Sequence, residues 1–186
     1  QMCIRDSVEA ERIRSEKLGP EGAILVAWDL RSGFVSTSMN KLNILGNSIG
    51  DEGYEMLMKL AEEKGLLTFC GFEEGQTEAD LSKKNLGPVD AKLIARELTT
   101  GYVSSSMNSL DISNNRIGVD RYGNPEMTGV KMIAEALSVS TSMNKLNVLS
   151  NSMDAESAQM LVDAAPQQFQ TFCGFEEGQT EANLFD

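Results

Sequence analysis

The feature that most constrains this chain is a pattern of thirteen residues that occurs three times, as SMNKLNILGNSIG, SMNSLDISNNRIG and SMNKLNVLSNSMD. The copies begin at Ser38, Ser106 and Ser142. Each copy has apolar residues at its second, fifth, seventh and twelfth positions and asparagine at its tenth. One copy cannot bury so short an apolar stripe by itself, whereas stacked copies bury it together. The pattern therefore predicts a repeat protein whose units share one core.

Helical periodicity accompanies the repeated pattern. Gly50–Lys64 and Gly129–Leu137 each place four apolar residues on one helical face. These residues are Met56, Leu57, Leu60 and Ala61 in the first segment, and Val130, Ile133, Ala134 and Leu137 in the second. The segments Leu18–Leu30 and Leu86–Leu98 begin with Leu-Gly-Pro, and proline is favoured at the first position of a helix. The sequence thus predicts a strand, a loop and a helix in each unit.

The repeated unit resembles the ribonuclease-inhibitor-like class of leucine-rich repeats, through its spaced apolar residues, its asparagine and the IGDEG that follows (Ile49–Gly53). The resemblance implies an α/β fold, a right-handed solenoid with parallel strands on its concave face and helices on its convex face. About five repeats would form a single domain over residues 8–186. The unit spacing departs from the usual length of about 28 residues. The distance from Cys70 to Leu110 is 40 residues, and that from Leu110 to Leu146 is 36.

A second duplication consists of the twelve residues TFCGFEEGQTEA, which occur at Thr68–Ala79 and again at Thr171–Ala182. The repeat spacing places Cys70 and Cys173 in strand positions that leucine usually fills, and a buried cysteine acts as a small apolar side chain. Leu67, Cys70 and Phe72 are predicted to face the core. The alternative is a reactive thiol or a metal pair, but neither cysteine has a histidine or second cysteine at ligand spacing. The twelve residues are therefore predicted to be structural, and Ala79 and Leu81 could form a further short strand.

The asparagine of each repeat is predicted to be structural as well. A side-chain amide both donates and accepts, so it can bond backbone groups where the chain leaves the strand. The three residues in this role are Asn47, Asn115 and Asn151.

Composition excludes several kinds of function. The net charge is −12, which repels nucleic acids and anionic membranes. Histidine is absent, and with it the commonest general base and metal ligand. No apolar run is long enough to span a bilayer, and no phosphate-binding, nucleophile or dinucleotide motif is present. We therefore expect no catalytic, metal-binding or cofactor-binding residues.

Two sets of exposed residues are candidates for binding a protein partner. The residues that flank the buried positions of the strands point to the concave face. They are Lys41, Asn43, Leu45, Ser109, Asp111, Ser113, Lys145, Asn147 and Leu149. The second set lies in loops predicted at one rim of the solenoid, and its acidic members would steer a partner with a basic surface. It consists of Glu73, Glu74, Asp120, Arg121, Tyr122, Glu176 and Glu177.

These observations favour a non-catalytic module that binds a protein partner. One alternative is a GTPase activator of the kind that acts on Ran, which the resemblance suggests, with Arg116 or Arg121 reaching a phosphate. Another is a regulatory or sensor segment of a larger multidomain protein.

The ends of the chain give further expectations. QMCIRDS (Gln1–Ser7) matches the translation of a transposase adapter used in sequencing libraries, with chance identity as the alternative, and adapter carry-over suggests environmental sequencing. Neither end carries a polar capping repeat, so we expect a fragment of a longer array, truncated at both ends. The cysteines favour a reducing cytoplasm.

Overall fold

A computed structural model describes residues 18–33, 39, 41–100 and 103–182. The predicted adapter segment lies outside the described residues. Helices and strands occur in the order α1, α2, β1, α3, β2, α4, β3 and α5. Their bounds are α1 Pro20–Ser32, α2 Gly50–Lys64, β1 Glu78–Asp80, α3 Pro88–Thr99, β2 Ser109–Asp111, α4 Thr128–Val139, β3 Lys145–Asn147 and α5 Ala155–Ala164.

The three strands form a parallel sheet in the order β1, β2, β3. Ala79 lies opposite Leu110, and Leu110 lies opposite Leu146. Leu110 and Leu146 are buried beneath the helices. Parallel strands joined through helices fit an α/β leucine-rich-repeat fold, although this sheet is small. The longer curved solenoid stays a prediction.

Each helix packs against the next helix along the chain. The apolar residues predicted for α4 are all buried, as are those predicted for α2 except Met56, which is half-buried. The packing between α3 and α4 is close: a Cβ atom on Gly129 would lie 2.3 Å from the carbonyl oxygen of Pro88. By contrast, α2 and α3 share the smallest contact between consecutive helices. Two contacts of Lys92 join them: its Nζ lies 2.6 Å from Asp51 Oδ1 and 5.9 Å from the centre of the Tyr54 ring.

The structure corrects the prediction for the first copy of the twelve-residue segment. Cys70 and Phe72 are buried, but Leu67 is 40% exposed, and Leu66 and Phe69 fill the core on either side of it. The segment around Cys70 makes only isolated bridges, Lys41 with Thr68 and Asn43 with Cys70. The strand that joins the sheet is β1, which follows after a turn.

This arrangement explains one irregular spacing. The 40 residues between Cys70 and Leu110 divide at Ala79 into 9 and 31 residues, and Ala79 is the residue paired with Leu110. No helix separates Cys70 from Ala79. The two strand-side segments are therefore followed by a single helix, α3, and the second part of the interval is close to an ordinary repeat length.

Candidate functional site

The first candidate binding surface, called the first patch, consists of Lys41, Asn43, Leu45, Gly71 and Glu73. The ammonium of Lys41 pairs with the Glu73 carboxylate. Gly71 has a φ of +73°, and a Cβ there would lie 2.8 Å from Asn43 Nδ2. Glycine is required at this position both for the backbone conformation and for the close approach of the asparagine. Lys41 and Asn43 are exposed, and Leu45 is half-buried.

The second patch repeats these residue types as Lys145, Asn147, Leu149, Gly174 and Glu176. Lys145 Nζ lies 2.6 Å from Glu176 Oε2. Gly174 has a φ of +72°, and a Cβ there would lie 3.1 Å from Asn147 Nδ2. Leu149 is 36% exposed. Five residues therefore meet in the same arrangement at two places in the molecule.

Backbone contacts explain why the two patches agree. The amide of Leu42 donates to Thr68 O at 2.9 Å, and the amide of Leu146 donates to Thr171 O at 3.0 Å. Each contact places a Lys-Leu-Asn segment beside a copy of the twelve residues. A turn then fixes each glutamate, because Glu73 N donates to Gln76 Oε1 at 3.0 Å and Glu176 N donates to Gln179 Oε1 at 3.0 Å.

Strand β2 supplies the remaining predicted concave-face residues. Ser109 and Asp111 are half-buried and pair with Lys145 and Asn147 of β3. Asp111 Oδ2 accepts a hydrogen bond from Asn147 Nδ2 at 2.9 Å, which connects β2 to the second patch. Ser113 differs from the prediction: it lies beyond the end of β2, is only 4% exposed, and its Oγ accepts a hydrogen bond from Asn114 Nδ2 at 3.2 Å. A partner on the strand face would not reach its side chain.

The repeat asparagines lie beneath this surface and bond to the backbone. Asn115 Oδ1 accepts from the amides of Lys84 and Leu86, each at 3.0 Å, and its Nδ2 donates to the carbonyl of Ile112 at 2.9 Å. Asn151 Nδ2 donates to Ile112 O and Val148 O, both at 2.9 Å. Asn47 is also buried; its Oδ1 accepts from Leu18 N and its Nδ2 donates to Ile44 O. These amides link neighbouring units and satisfy backbone groups that are removed from water.

The predicted acidic rim has two parts. Glu73 and Glu176 turn toward the lysines of the patches, which offsets part of their charge, while Glu74 and Glu177 are exposed. The other part is the loop after Gly118. There Asp120 accepts hydrogen bonds from the amides of Tyr122 and Asn124, and its bond to the Asn124 side chain lowers the pKa of its carboxyl.

The loop after Gly118 borders an opening of about 400 Å³, which Arg116, Arg121 and the start of α3 also line. Arg116 Nη2 donates to Asp120 O at 3.4 Å, and the Arg121 guanidinium lies 4.8 Å from the centre of the Tyr122 ring. Both arginines thus have local contacts. Asp90, which also lines this opening, accepts hydrogen bonds from the amides of Gly46 and Gly87. Burial nevertheless raises its pKa to about 6.

Sequence reasoning missed the buried carboxylate of Glu97. It accepts hydrogen bonds from the amides of Phe69 and Cys70, and from Thr68 Oγ1 at 2.7 Å. Burial raises the pKa of Glu97 despite these bonds, and burial together with Glu97 raises the pKa of the Cys70 thiol well above its usual range. The available signal was the position of Glu97 on the apolar side of α3, three residues after Ile94.

The structure shows no group of three potential ligand residues that could hold a metal ion within the described ranges. Nor does any helix in this part of the chain have the length and apolar character needed to cross a membrane.

Comparison with known proteins identifies the repeats. A family model described as Leucine Rich repeat matches residues 35–58 and 103–120. These two regions contain the repeated strand segments and their buried asparagines. A search of curated proteins gave no significant match. Repeats of this family generally mediate protein–protein interaction and are typically non-catalytic. Residues 35–58 and 103–120 therefore match leucine-rich repeats.

Proposed function

We propose that this chain is a non-catalytic module that binds a protein partner through the two patches and the strand β2 between them. The observation that carries the proposal is that the two patches consist of the same residue types. Each has a lysine–glutamate pair and a glycine in close contact with an asparagine. Packing of the core does not require the two patches to be alike, because the side chains of the patches are exposed or half-buried.

The patches offer a partner two kinds of contact. Leu45 and Leu149 provide apolar area at the edge of the strand face, which suits the buried centre of an interface. Asn43 and Asn147 are amides that can donate and accept hydrogen bonds. Around them, Glu74 and Glu177 add negative charge, and the whole chain has a net charge of −12. The proposed partner therefore has a basic surface around an apolar centre.

The test is affinity capture from a lysate with the whole chain and with variants in which Asn43, Leu45, Asn147 and Leu149 are replaced by alanine. We expect the quadruple variant to lose partners that the unchanged chain captures. Lys131→Ala and Gln159→Ala, on the exposed sides of α4 and α5, serve as the matched control and should retain them. Equal capture by the patch variant and the unchanged chain would contradict binding through the patches.

Ionic strength tests the charge of the partner. Encounter with a basic surface is screened by salt, so association should slow as salt is added. Glu74→Gln with Glu177→Gln should reduce this dependence. An association rate that does not change with salt would exclude steering by the acidic residues. Binding through the patches would still be tested independently by the patch variants.

A further inference from the structure

The first and third copies of the thirteen-residue pattern differ in the core but not on the strand face. Val148 stands where the first copy has the buried Ile44, and Met153 stands where it has the buried Ile49. The three strand-face positions are identical, with lysine, asparagine and leucine in both copies. Substitution at an exposed position usually costs little stability. Packing alone therefore does not explain why the surface positions stay the same while core positions change.

The middle copy shows the opposite pattern. It keeps the buried Leu110, Ile112 and Asn115, but its three corresponding strand-face positions are serine, aspartate and serine. Its neighbour on the following side is β3 rather than a copy of TFCGFEEGQTEA. The lysine, asparagine and leucine thus occur only beside a copy of the twelve residues, so that each patch is repeated as one unit.

The two patches run in the same direction across the strand face. Strands β1 and β3 are both parallel to β2. The segment 41–45 ends at the same edge of the sheet as β1, because a Cβ atom on Gly46 would lie 3.4 Å from the carbonyl oxygen of Lys84, which follows β1. Strands β1 and β2 therefore lie between the first patch and β3. At about 4.8 Å per strand, the backbones of the two patches are at least about 14 Å apart.

This relation between the patches limits the symmetry of a partner that binds both. A partner with two-fold symmetry presents its two equivalent surfaces in opposite directions, so both cannot bind the patches in the same way. A single chain that contains one short element twice presents both copies in the same direction. Such a chain matches the two patches.

We propose that the partner is a single chain with two copies of one short element, and that each patch binds one copy. The inference rests on the proposed function, because it takes the patches as the binding surface. In each copy, an apolar side chain packs on the leucine of the patch, a basic side chain lies near the exposed Glu74 or Glu177, and a polar group bonds to the asparagine. An extended chain covers about 3.3 Å per residue, so equivalent positions of the two copies are at least about five residues apart.

Variants that change one patch at a time test the inference on the captured partners. The first-patch variant carries Asn43→Ala with Leu45→Ala, and the second-patch variant carries Asn147→Ala with Leu149→Ala. A partner that the quadruple variant loses should be lost from each of these about equally, while circular dichroism shows that both variants are folded. A partner that is lost from only one of them, or retained by both, would overturn the inference and leave the proposed function standing.

A defined peptide probe measures the number of sites. Short random peptides are selected from a displayed library on the unchanged chain, and those that also bind the quadruple variant are discarded. One synthetic copy of a selected peptide should titrate two sites of similar affinity on the unchanged chain and one site on each single-patch variant. A single site on the unchanged chain would contradict the inference. A library that gives no such peptide would instead count against binding through the patches, and so against the proposed function.

Two copies of the selected peptide, joined by a flexible linker, test whether both patches are occupied at once. The second copy binds intramolecularly, so the tandem peptide should bind the unchanged chain roughly 100-fold to 10,000-fold more tightly than one copy, with one peptide per chain. The gain should vanish on either single-patch variant. It should also vanish in the matched control, a tandem peptide whose second copy has a scrambled sequence. A tandem peptide that gains no affinity at any linker length would show that the patches do not bind one chain together.

Discussion

Asp90 and Glu97 are the two buried carboxylates of the described residues, and both belong to α3. Each accepts hydrogen bonds from two backbone amides that lie outside the three-stranded sheet. Asp90 joins the amides of Gly46 and Gly87, while Glu97 joins those of Phe69 and Cys70. A carboxylate suits this role because it has two oxygens and only accepts hydrogen bonds. The cost is removal of a charge from water, which raises the pKa of both groups.

Asp90 makes stability depend on pH. Its pKa is about 6 in the folded chain, above the ordinary value of 3.8, so the folded state binds this proton more tightly than the unfolded state. Its contribution to the free energy of unfolding is therefore greatest below about pH 4 and is lost as pH rises to about 6, a difference of about 3 kcal/mol. Asp90→Asn should remove this dependence, as urea denaturation at several pH values would show.

The control for this measurement is Glu135→Gln, at an exposed acid of α4. It should leave the difference in stability between low and neutral pH close to that of the unchanged chain. If Asp90→Asn also leaves that difference unchanged, Asp90 does not titrate in the folded chain as its burial requires.

Side-chain roles were predictable from sequence only where a repeat displays them. Asn115 recurs in register with Asn47 and Asn151, so its bonds to the backbone could be inferred from position. Glu97 does not recur in that pattern, and a glutamate in a helix is normally assigned to the solvent side. Its burial depends on amides in a segment 27 residues away, which no local periodicity displays.

At the scale of elements, Gly129 sets the distance between α3 and α4. A Cβ at this position would lie 2.3 Å from Pro88 O and 2.7 Å from Ala91 Cβ. Gly129→Ala should therefore force the two helices apart, despite the higher helix propensity of alanine, and destabilise the chain by about 1–3 kcal/mol. Chemical denaturation monitored by circular dichroism measures this loss.

Ser138→Ala, at an exposed position of the same helix, is the comparison. It should change stability by less than about 0.5 kcal/mol. A Gly129→Ala variant as stable as the unchanged chain would show that α3 and α4 can separate at little cost.

Helices were more predictable than strand-side segments. The helix predicted over Gly50–Lys64 has those bounds, because its apolar residues recur at helical spacing over several turns. The repeat length alone predicts a full strand around Cys70, where the structure has only isolated bridges. The apolar pattern of this segment is short. Nothing in its periodicity shows that no helix follows it, so it looks like the strand of an ordinary repeat. The sheet strand, Glu78–Asp80, contains Ala79 of the further short strand that the sequence suggested, and its other two residues are polar.

At the scale of the whole molecule, stability should vary along the chain. Helices α3 and α4 have a packed helix on both sides, whereas α1 and α5 each contact one helix of the described residues. In a chain whose units contact only their neighbours, outer units open more easily than central ones. Hydrogen exchange in dilute solution should therefore be slowest in α4 and β2 and faster in α1 and α5.

The measurement also has an internal comparison, because the two copies of the twelve residues are chemically identical. The amide of Cys70 should exchange more slowly than that of Cys173, since only the former donates to Glu97. Uniform protection from α1 to α5 would show instead that the chain opens as one unit. The difference between the two cysteines does not follow from the sequence alone, because identical segments predict identical behaviour until their neighbours are known.

If the repeats stack into the predicted curved solenoid, the absence of a helix between Cys70 and Ala79 changes its curvature. Neighbouring strands lie about 4.8 Å apart and packed helices about 8–10 Å apart, and this difference in width curves a stack of strand–helix units. In such a stack the strand side is the narrower one. A segment added there, with no helix to match it, widens the strand side and leaves the helical side unchanged. Duplicating the twelve residues therefore offers a way to flatten the curve locally. Evolution could change the shape presented to a partner by copying one short stretch, without redesigning a helix.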